Sequence, residues 1–433
     1  MKALFKSISR AVLCGIVCVS VIITMPCATH AEQQPVTVIA CSDFQNPDGR
    51  EAGSSEVAAI LNSAKSSPNG GISRIDGFIC CGDYDYNISS NQAETVIGIN
   101  ALRDTVRNAF GTGFQEIFVK GNHDIAGTVG IAQSGSNDAK SGKYGVFVIN
   151  ESDYMWKNTK PDVIKQTAEN LKQYLDEKIE NKYSAPVFIV SHLPLHFTYR
   201  TKYEFDAMYA EYLFDVINEA GEKGLNIIYL YGHDHSNGWD DYLGGAAVYL
   251  KKGDSINIAD APQPFYNVKT LNFTYMNAGF TGYYSSSSTG VDSSLTMTSF
   301  NIYPDRVEIS RFDKDGIHNL KSGGVHNQGK GETDSDYPCD TAVYESPQTV
   351  KLNIFEPLPS SSEEAASAES AQSSEDPVSD AADSSDTASA DIQTDSGAKS
   401  NITVILISAA AVLVLICGAV AVTAVIKKRN PKQ

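Results

Sequence analysis

Positive charge is in short supply in this sequence, which has 34 Lys and Arg residues against 52 Asp and Glu residues and a net charge of −18. Proteins that bind nucleic acid usually concentrate Lys and Arg on one face, because contacts to the phosphate backbone dominate their affinity. The sequence shows no basic patch of that kind. We therefore expect no nucleic-acid-binding surface.

Cysteine is also scarce, with 8 residues in a chain of 433. Cys14, Cys18 and Cys27 lie near the N-terminus and Cys417 lies in a C-terminal apolar run, which leaves Cys41, Cys80, Cys81 and Cys339. The first three of these end apolar runs, so we interpret them as small core residues. The disulfide framework on which small secreted domains depend is excluded.

Long apolar runs stand at the two ends of the chain. At the N-terminus, Lys2, Lys6 and Arg10 precede an apolar run to about residue 25, and Ala31 closes the segment that follows. This order is typical of a secretory signal peptide, so we predict that residues 1–31 are cleaved off. An uncleaved N-terminal membrane helix is the alternative.

Near the other end, residues 401–426 carry no charged side chain, and a basic tail follows at residues 427–433. At about 1.5 Å of rise per residue, this run is long enough for a transmembrane helix across a core of roughly 30 Å. Since positive flanking residues stay in the cytoplasm, we predict a single-pass protein of the cell membrane whose mature chain is extracellular up to the helix.

The segment before the apolar run, residues 356–400, consists mostly of Ser, Ala, Asp and Glu. Such a composition buries too little apolar surface to offset the entropy of ordering, so it predicts a disordered acidic stalk. Residues 32–355 remain as the folded domain.

Within that domain, short apolar runs alternate with stretches of helical periodicity, which predicts an α/β fold. The predicted strands are residues 36–41, 78–81, 117–119, 187–190 and 227–231. The predicted helices are residues 56–64, 92–110, 163–179 and 204–222. Later strands at 246–251, 295–302 and 306–311 have no helices between them, so the sheets are expected to be mixed. Residues 126–143 and 236–270 are predicted to be loops.

Every one of the five early strands is followed by residues typical of metal ligands, and ligands gather at the carboxyl ends of strands in α/β sheets. Singly, each of these residues is an ordinary turn residue, helix cap or satisfied histidine. Together they predict a metal site. They are Asp43, Asp83, Asn122 with His123 and Asp124, His192, and His233 with His235.

The order D-x-Q, G-D, G-N-H-D, H and G-H-x-H across residues 36–235 resembles the calcineurin-like metallophosphoesterase family. The resemblance implies a four-layer α/β/β/α sandwich with mixed sheets and two metal ions at its rim. Carboxylate, imidazole and amide ligands suit divalent or trivalent Fe, Mn or Zn. Two such ions activate water for hydrolysis of a phosphomonoester or phosphodiester, so the implied partner is a small phosphate ester.

The resemblance also implies a role for each motif residue. Asp83 would bridge the two metals, and His123 would lie beside the ester without binding metal while Asp124 orients its ring. Asn122, His192 and His233 would complete the second metal site, and Asp43 and His235 would serve the first.

The chain departs from the family where most members have His two residues after the first Asp, because Gln45 stands there. Gln45 is a candidate ligand with a weaker donor oxygen. Gly82-Asp83-Tyr84-Asp85-Tyr86 fits the G-D-x-x-Y motif of purple acid phosphatases, in which the Tyr binds ferric iron. Tyr86 is therefore either a phenolate ligand or a packed aromatic residue.

Three further residues lie near these motifs and are candidates for binding substrate phosphate: His196, Arg200 and Asn46. Ordinary surface positions are the alternative for each. A competing function for the whole chain is a non-catalytic surface binding module on a degenerate metallophosphoesterase fold, which Gln45, the stalk and the membrane anchor favour. The several retained motif residues favour an enzyme.

Overall fold

The structure is a computed structural model that describes residues 34–45, 50–67, 71–85, 92–125, 127–153, 161–196, 199–201, 204–205, 209–233, 249–258, 267–282, 295–322 and 342–355. The predicted signal peptide, acidic stalk, membrane helix and basic tail lie outside these residues. Among the described residues, no helix combines the length and the apolar character needed to cross a membrane.

Four α-helices and nineteen strands are found in the described part of the chain. The helices are α1 (Arg50–Ser66), α2 (Gln92–Phe110), α3 (Pro161–Glu180) and α4 (Ala210–Glu222). The strands up to the fourth helix are β1 (Val36–Cys41), β2 (Gly77–Cys80), β3 (Gln115–Phe118), β4 (Gly135–Ser136), β5 (Gly145–Ile149), β6 (Val187–Ser191), β7 (Tyr199–Thr201) and β8 (Glu204–Phe205). Those after it are β9 (Ile227–Tyr231), β10 (Tyr249–Leu250), β11 (Ser255–Asn257), β12 (Val268–Thr270), β13 (Thr274–Asn277), β14 (Met297–Ile302), β15 (Arg306–Asp313), β16 (Gly316–His318), β17 (Leu320–Ser322), β18 (Ala342–Tyr344) and β19 (Gln348–Lys351).

The first large sheet has the order β16-β15-β14-β1-β2-β3, and β19 pairs with β15. Strands β1, β2 and β3 run parallel, with Cys41 opposite Cys80 and Cys80 opposite Phe118. Strand β14 is antiparallel to β1. The carboxyl ends of β1, β2 and β3 therefore lie side by side at one edge.

The second large sheet has the order β10-β13-β9-β6-β5-β4. Its central strands β5, β6, β9 and β13 are parallel, with Val190 opposite Leu230. The residues that follow β6 and β9 are consequently neighbours, although about forty positions separate them in the sequence.

Three apolar cores stabilise this arrangement. One lies between α1, α2 and the first sheet, one between the two sheets, and one between the second sheet and α3 with α4. Alternation along β1 shows the pattern, because Val38 and Ala40 enter the core between the sheets while Ile39 and Cys41 enter the core beneath the helices. The mixed α/β class predicted from the sequence is confirmed, and the expected core positions of Cys41, Cys80 and Cys81 are confirmed by their full burial.

Two sequence-based assignments are wrong in part. The predicted helix over 204–222 begins only at Ala210, because Tyr209 has a left-handed φ of 59° that interrupts the helical path, and Glu204–Phe205 form strand β8 instead. Strands β4 in the first predicted loop and β11 and β12 in the second were not predicted, whereas β10 lies within the predicted strand 246–251. Strand β5, a fully buried run directly after the first loop, was not predicted at all.

Helix α2 supports the turn after β2 through a close approach at Gly98. An added Cβ on this residue would overlap the carbonyl oxygen of Tyr84 and lie 2.9 Å from the Tyr84 Cβ. The glycine therefore lets the helix pack directly on the backbone that carries Asp83.

We expect Gly98→Ala to lower the free energy of unfolding by about 1–3 kcal/mol, because the new methyl group must push α2 away from Tyr84. Intrinsic propensity acts in the opposite direction, since Ala favours a helix over Gly by roughly 1 kcal/mol. Thermal unfolding followed by circular dichroism measures the balance. Asn108→Ala, on an exposed position of the same helix, is the control and should not destabilise the protein. A higher melting temperature for Gly98→Ala would show that the close approach is absent.

Candidate metal centre

Backbone strain is concentrated where the strands end. Asp43 after β1, Asp83 after β2 and His233 after β9 have positive φ angles of 55°, 61° and 72°. Non-glycine residues rarely adopt this region, and each such residue costs on the order of 1–3 kcal/mol. All three side chains are buried. Strain that recurs at three neighbouring strand ends is typical of a functional site.

Glycines beside these residues allow the turns to pack backbone against backbone. Gly82 has a φ of 99°, and a Cβ there would lie 2.8 Å from both the His192 Nδ1 atom and the Gly121 Cα atom. A Cβ on Gly232 would overlap the Ser42 hydroxyl group and lie 2.9 Å from the Asp43 Oδ2 atom. No side chain fits at Gly82, before Asp83, or at Gly232, before His233, so both positions require glycine.

Donor atoms from both sheets converge in this edge. Ligand atoms of Asp83, His192 and His233 all lie within 4.8 Å of one another, and the three residues are buried. His192 Nε2 lies 3.3 Å from Asp83 Oδ2 and 3.2 Å from His233 Nδ1. Asn122 Oδ1 lies 2.9 Å from His192 Nε2 and 2.8 Å from His233 Nδ1.

This set of atoms fits a metal cation. His192 Nε2 and His233 Nδ1 face each other, and both face Asn122 Oδ1, beside the Asp83 carboxylate. A proton on one ring nitrogen can form only one of these hydrogen bonds at a time. Bonds of about 2.0–2.2 Å from a common centre place donor atoms at spacings near those observed. Mixed nitrogen and oxygen donors are compatible with Fe, Mn or Zn. Asp83, Asn122, His192 and His233 are the residues that would hold the ion.

A hydrogen bond to the Cys81 carbonyl group fixes the orientation of the His192 ring. Its Nδ1 atom lies 2.7 Å from the Cys81 carbonyl oxygen, to which it donates a hydrogen bond. This contact leaves Nε2 directed at Asp83 and Asn122, which is how protein metal sites commonly select the histidine tautomer that binds.

Charge coupling between His192 and Asp83 is strong. Burial alone would lower the pKa of His192, but the charge and hydrogen bond of Asp83, together with the charge of Asp43, raise this pKa to about 9. Burial alone would raise the pKa of Asp83, but the charge and hydrogen bond of His192 hold it well below its usual range. The Asp83 carboxylate is therefore negatively charged beside a protonated His192 ring. A metal cation can take the place of the proton on that ring.

Asp43 joins three strand ends at the same edge. Its two carboxylate oxygens accept the His233 backbone N–H at 3.2 and 3.0 Å, and its own N–H donates to the Gly82 carbonyl oxygen at 2.9 Å. Asp43 thereby holds β1 against β9 and against the turn after β2.

Gln45 is fully buried and contacts the centre directly. Its Nε2 atom donates to Asp83 Oδ2 at 2.9 Å. Its Oε1 atom has no hydrogen-bond partner among the residues that the structure describes. Gln45 is therefore placed where a ligand residue would be, with its N–H turned to the carboxylate.

His123 and Asp124 follow Asn122 in the same turn. The His123 N–H donates to Asp83 Oδ1 at 2.9 Å, and His123 Nε2 lies 3.9 Å from Asp83 Oδ2. Asp124 accepts three backbone N–H groups, those of Asp83 and Gly121 on Oδ2 and that of Tyr84 on Oδ1. Burial, and then the charge of Asp83, raises the pKa of Asp124 to about 7. Asp124 therefore links the turn after β2 to the turn that carries Asn122. Its role in orienting the His123 ring stays a prediction.

His196 lies fully buried, in contact with tyrosines of the second sheet. His196 Nδ1 lies 2.7 Å from the Tyr275 hydroxyl oxygen, and burial, followed by the charge of His233, lowers the pKa of His196 to about 3. A neutral, enclosed ring is a poor partner for a phosphate anion, but its substrate-binding role stays a prediction. The remaining candidates, Asn46, Tyr86, His235 and the Arg200 side chain, lie outside the described part of the chain.

Sequence analysis missed a buried ion pair beside the Asn122 turn. Lys120 Nζ pairs with the Glu151 carboxylate and lies 3.3 Å from the Gly121 carbonyl oxygen, and the Lys120 N–H donates to Asn150 Oδ1 at 2.8 Å. These contacts fix the end of β3 to the end of β5. The available signal was Asn150-Glu151 after the apolar run 145–149, in the same pattern as the other strand ends.

We expect Asp124→Asn to lower the free energy of unfolding by about 1–3 kcal/mol, since an amide nitrogen would then face a backbone N–H that loses its acceptor. Urea unfolding at neutral pH measures the change. Asp104→Asn, at an exposed position of α2, provides the matched control and should be close to neutral. Equal stability of the two variants would show that Asp124 does not hold the two turns together.

A second expectation concerns pH. In metal-free protein, the pKa of His192 rises from 6.5 to about 9 on folding, so its stabilisation is complete below pH 6.5 and is lost as the pH rises to about 9. The loss is at most on the order of 3 kcal/mol. Urea unfolding in a chelating buffer across this range measures the slope, which His192→Gln should remove and the control His318→Gln should leave. A flat profile for the unsubstituted protein would contradict the His192–Asp83 coupling.

The part of the chain that carries this centre matches a protein-family model. The family described as calcineurin-like phosphoesterase matches residues 36–237. Among solved structures, a dimetal phosphatase from Danio rerio is 10% identical, with 66% of this chain and 98% of that chain covered and a TM-score of 0.39. A predicted phosphoesterase from Streptococcus pneumoniae TIGR4 is also 10% identical, with coverage of 71% and 97% and a TM-score of 0.26. No curated protein matches the chain. Residues 36–237 therefore form a domain of the calcineurin-like phosphoesterase family.

Proposed function

We propose that this protein is a metal-dependent phosphoric ester hydrolase, anchored in the cell membrane with its catalytic domain outside, that hydrolyses a small phosphomonoester or phosphodiester with two metal ions. The family membership of residues 36–237 supports the class of reaction. The placement in the membrane is inferred from the sequence of the two ends.

The observation that carries the proposal is the convergence of Asp83, His192 and His233 within 4.8 Å, with the Asn122 side-chain oxygen between the two rings. Desolvating these polar groups costs free energy, and so does the strained backbone of Asp83 and His233. A purely structural role does not require two imidazole nitrogens to face each other at 3.2 Å. A cation bound by both nitrogens explains why they face each other and the same amide oxygen.

The residues divide into two groups around Asp83. Asn122, His192 and His233 would hold one ion with Asp83, and Asp43 with Gln45 would serve the other, together with His235 as the sequence predicts. When bound, such ions lower the pKa of water and neutralise charge on the phosphoryl oxygens. Their identity among Fe, Mn and Zn is left open by the donor set.

His123 is the residue proposed to handle the leaving group. Its backbone N–H is committed to Asp83 Oδ1, which fixes the start of the side chain, and its Nε2 atom lies 3.9 Å from Asp83 Oδ2. A protonated ring at this position can donate its proton to the leaving oxygen or stabilise the charge that develops there. An outward-facing site makes a small extracellular ester the expected substrate.

A non-catalytic surface binding module is the alternative function. The observation in its favour is Gln45, whose N–H group donates to Asp83 Oδ2 and so satisfies the carboxylate without a cation. The buried ring pair of His192 and His233 favours the enzyme. Elemental analysis of the purified protein separates the two, because a binding module would carry no stoichiometric Fe, Mn or Zn.

We expect Asp83→Asn to lower kcat toward an aryl phosphate or a bis-aryl phosphate by more than about a hundredfold, because a charged ligand shared by both ion positions is lost. Initial rates with added Mn, Zn or Fe measure the effect. Asp305→Asn is the control, since Asp305 is exposed in the turn between β14 and β15 at the opposite end of the sheet. A normal rate for Asp83→Asn would reject the assignment, as would unsubstituted protein that hydrolyses neither ester with any of the three metals.

A further inference from the structure

We propose that Gln45 makes the two ion positions unequal, so that the position framed by Asp83, His192 and His233 binds a cation tightly and the position beside Asp43 and Gln45 binds one weakly. The inference rests on the proposed function, because it concerns the same ions. It follows from how the two oxygens of Asp83 are used.

The first oxygen, Asp83 Oδ1, accepts the His123 backbone N–H at 2.9 Å. The second, Oδ2, lies 3.3 Å from His192 Nε2 and accepts the Gln45 Nε2–H at 2.9 Å. An ionised carboxylate oxygen offers two lone-pair directions. One direction of Oδ2 therefore serves the ring of His192, and the Gln45 amide occupies the other.

A cation held by Asp83, Asn122, His192 and His233 would approach Asp83 Oδ2 from the side of the His192 ring, so the Gln45 hydrogen bond would remain in place. A cation held by Asp43 and Gln45 would approach Asp83 Oδ2 from the side that the Gln45 amide occupies, so it would have to displace the Gln45 N–H. Its binding free energy is reduced by the loss of a buried, charge-assisted hydrogen bond.

The second cation regains little from Gln45 itself. Rotating the amide by half a turn would present Oε1, which is buried and has no hydrogen-bond partner among the described residues. This atom is suited to binding a cation, but it is neutral and a weaker donor than an imidazole nitrogen. Asp43, the other described residue at this position, also accepts the His233 N–H with both oxygens.

Gln45 thus acts as a stand-in for the second cation. While the second position is empty, the amide N–H satisfies Asp83 Oδ2, and the one-cation protein keeps its buried carboxylate paired. Full loading then depends on the free metal concentration, so metal supply regulates the enzyme through this residue.

Isothermal titration of metal-depleted full-length protein with MnCl₂ tests the proposal. We expect two binding steps, the second weaker than the first by at least about ten- to a hundredfold. Gln45→His supplies an imidazole and should bring the two dissociation constants within about tenfold of each other. Gln45→Glu removes the N–H donor and adds charge in the same shape, so it should tighten the second step as well. Gln166→His, on the exposed side of α3, controls for an added histidine and should leave both steps unchanged.

The outcomes separate this proposal from the proposed function. Two equally tight steps in the unsubstituted protein would overturn the inequality while leaving the metal-dependent hydrolase intact. A second step that stays weak in both Gln45 variants, with native circular dichroism spectra, would overturn the role of Gln45. Failure of the unsubstituted protein to bind Mn, and also Zn or Fe titrated in the same way, would instead contradict the proposed function itself.

Discussion

A single buried carboxylate, that of Asp83, constrains the whole edge of this domain. A charged group without solvent is tolerated only when hydrogen bonds and opposite charge compensate for its lost hydration. Here the His123 N–H, the Gln45 amide and the His192 ring supply that compensation. Three surrounding features position this carboxylate. Asp83 has a left-handed backbone conformation, glycines let the neighbouring turns approach, and Asp124 accepts backbone N–H groups from both turns.

The centre also joins the two halves of the fold. Asp43, Asp83 and Asn122 follow strands of the first sheet, whereas His192 and His233 follow strands of the second. These contacts lie at the edge of the core between the two sheets. Within that core, the rings of Phe188 and Phe300 pack edge to face. A small slide of one sheet over the other would separate the rings from the carboxylate, so packing in the middle of the molecule sets the precision of the site.

Sequence patterns reveal most of this edge because the relevant information is local. An apolar run that stops at a Gly, Asp, Asn or His announces both a buried strand and a polar group at its end, and the structure brings Asp83, His192 and His233 together as five such endings predict. Contacts between distant segments are not encoded in that way. The pairing of Lys120 with Glu151 and the three backbone donors that Asp124 accepts depend on how strands associate in space. The start of α4 was misjudged for a different reason: periodicity does not show the reversed φ of Tyr209.

The thiols buried beneath the centre have a chemical consequence. Cys41 and Cys80 are neighbours on parallel strands, and Cys81 directly precedes Gly82, yet all three are fully enclosed and none forms a disulfide. Burial raises the pKa of Cys80 and of Cys81 well above the usual value, so the reactive thiolate form is suppressed. The thiols of Cys80 and Cys81 are therefore poor competitors with nitrogen and oxygen donors for an incoming ion. The same enclosure would shield the sulfur atoms from oxidants outside the cell, where the chain is proposed to work.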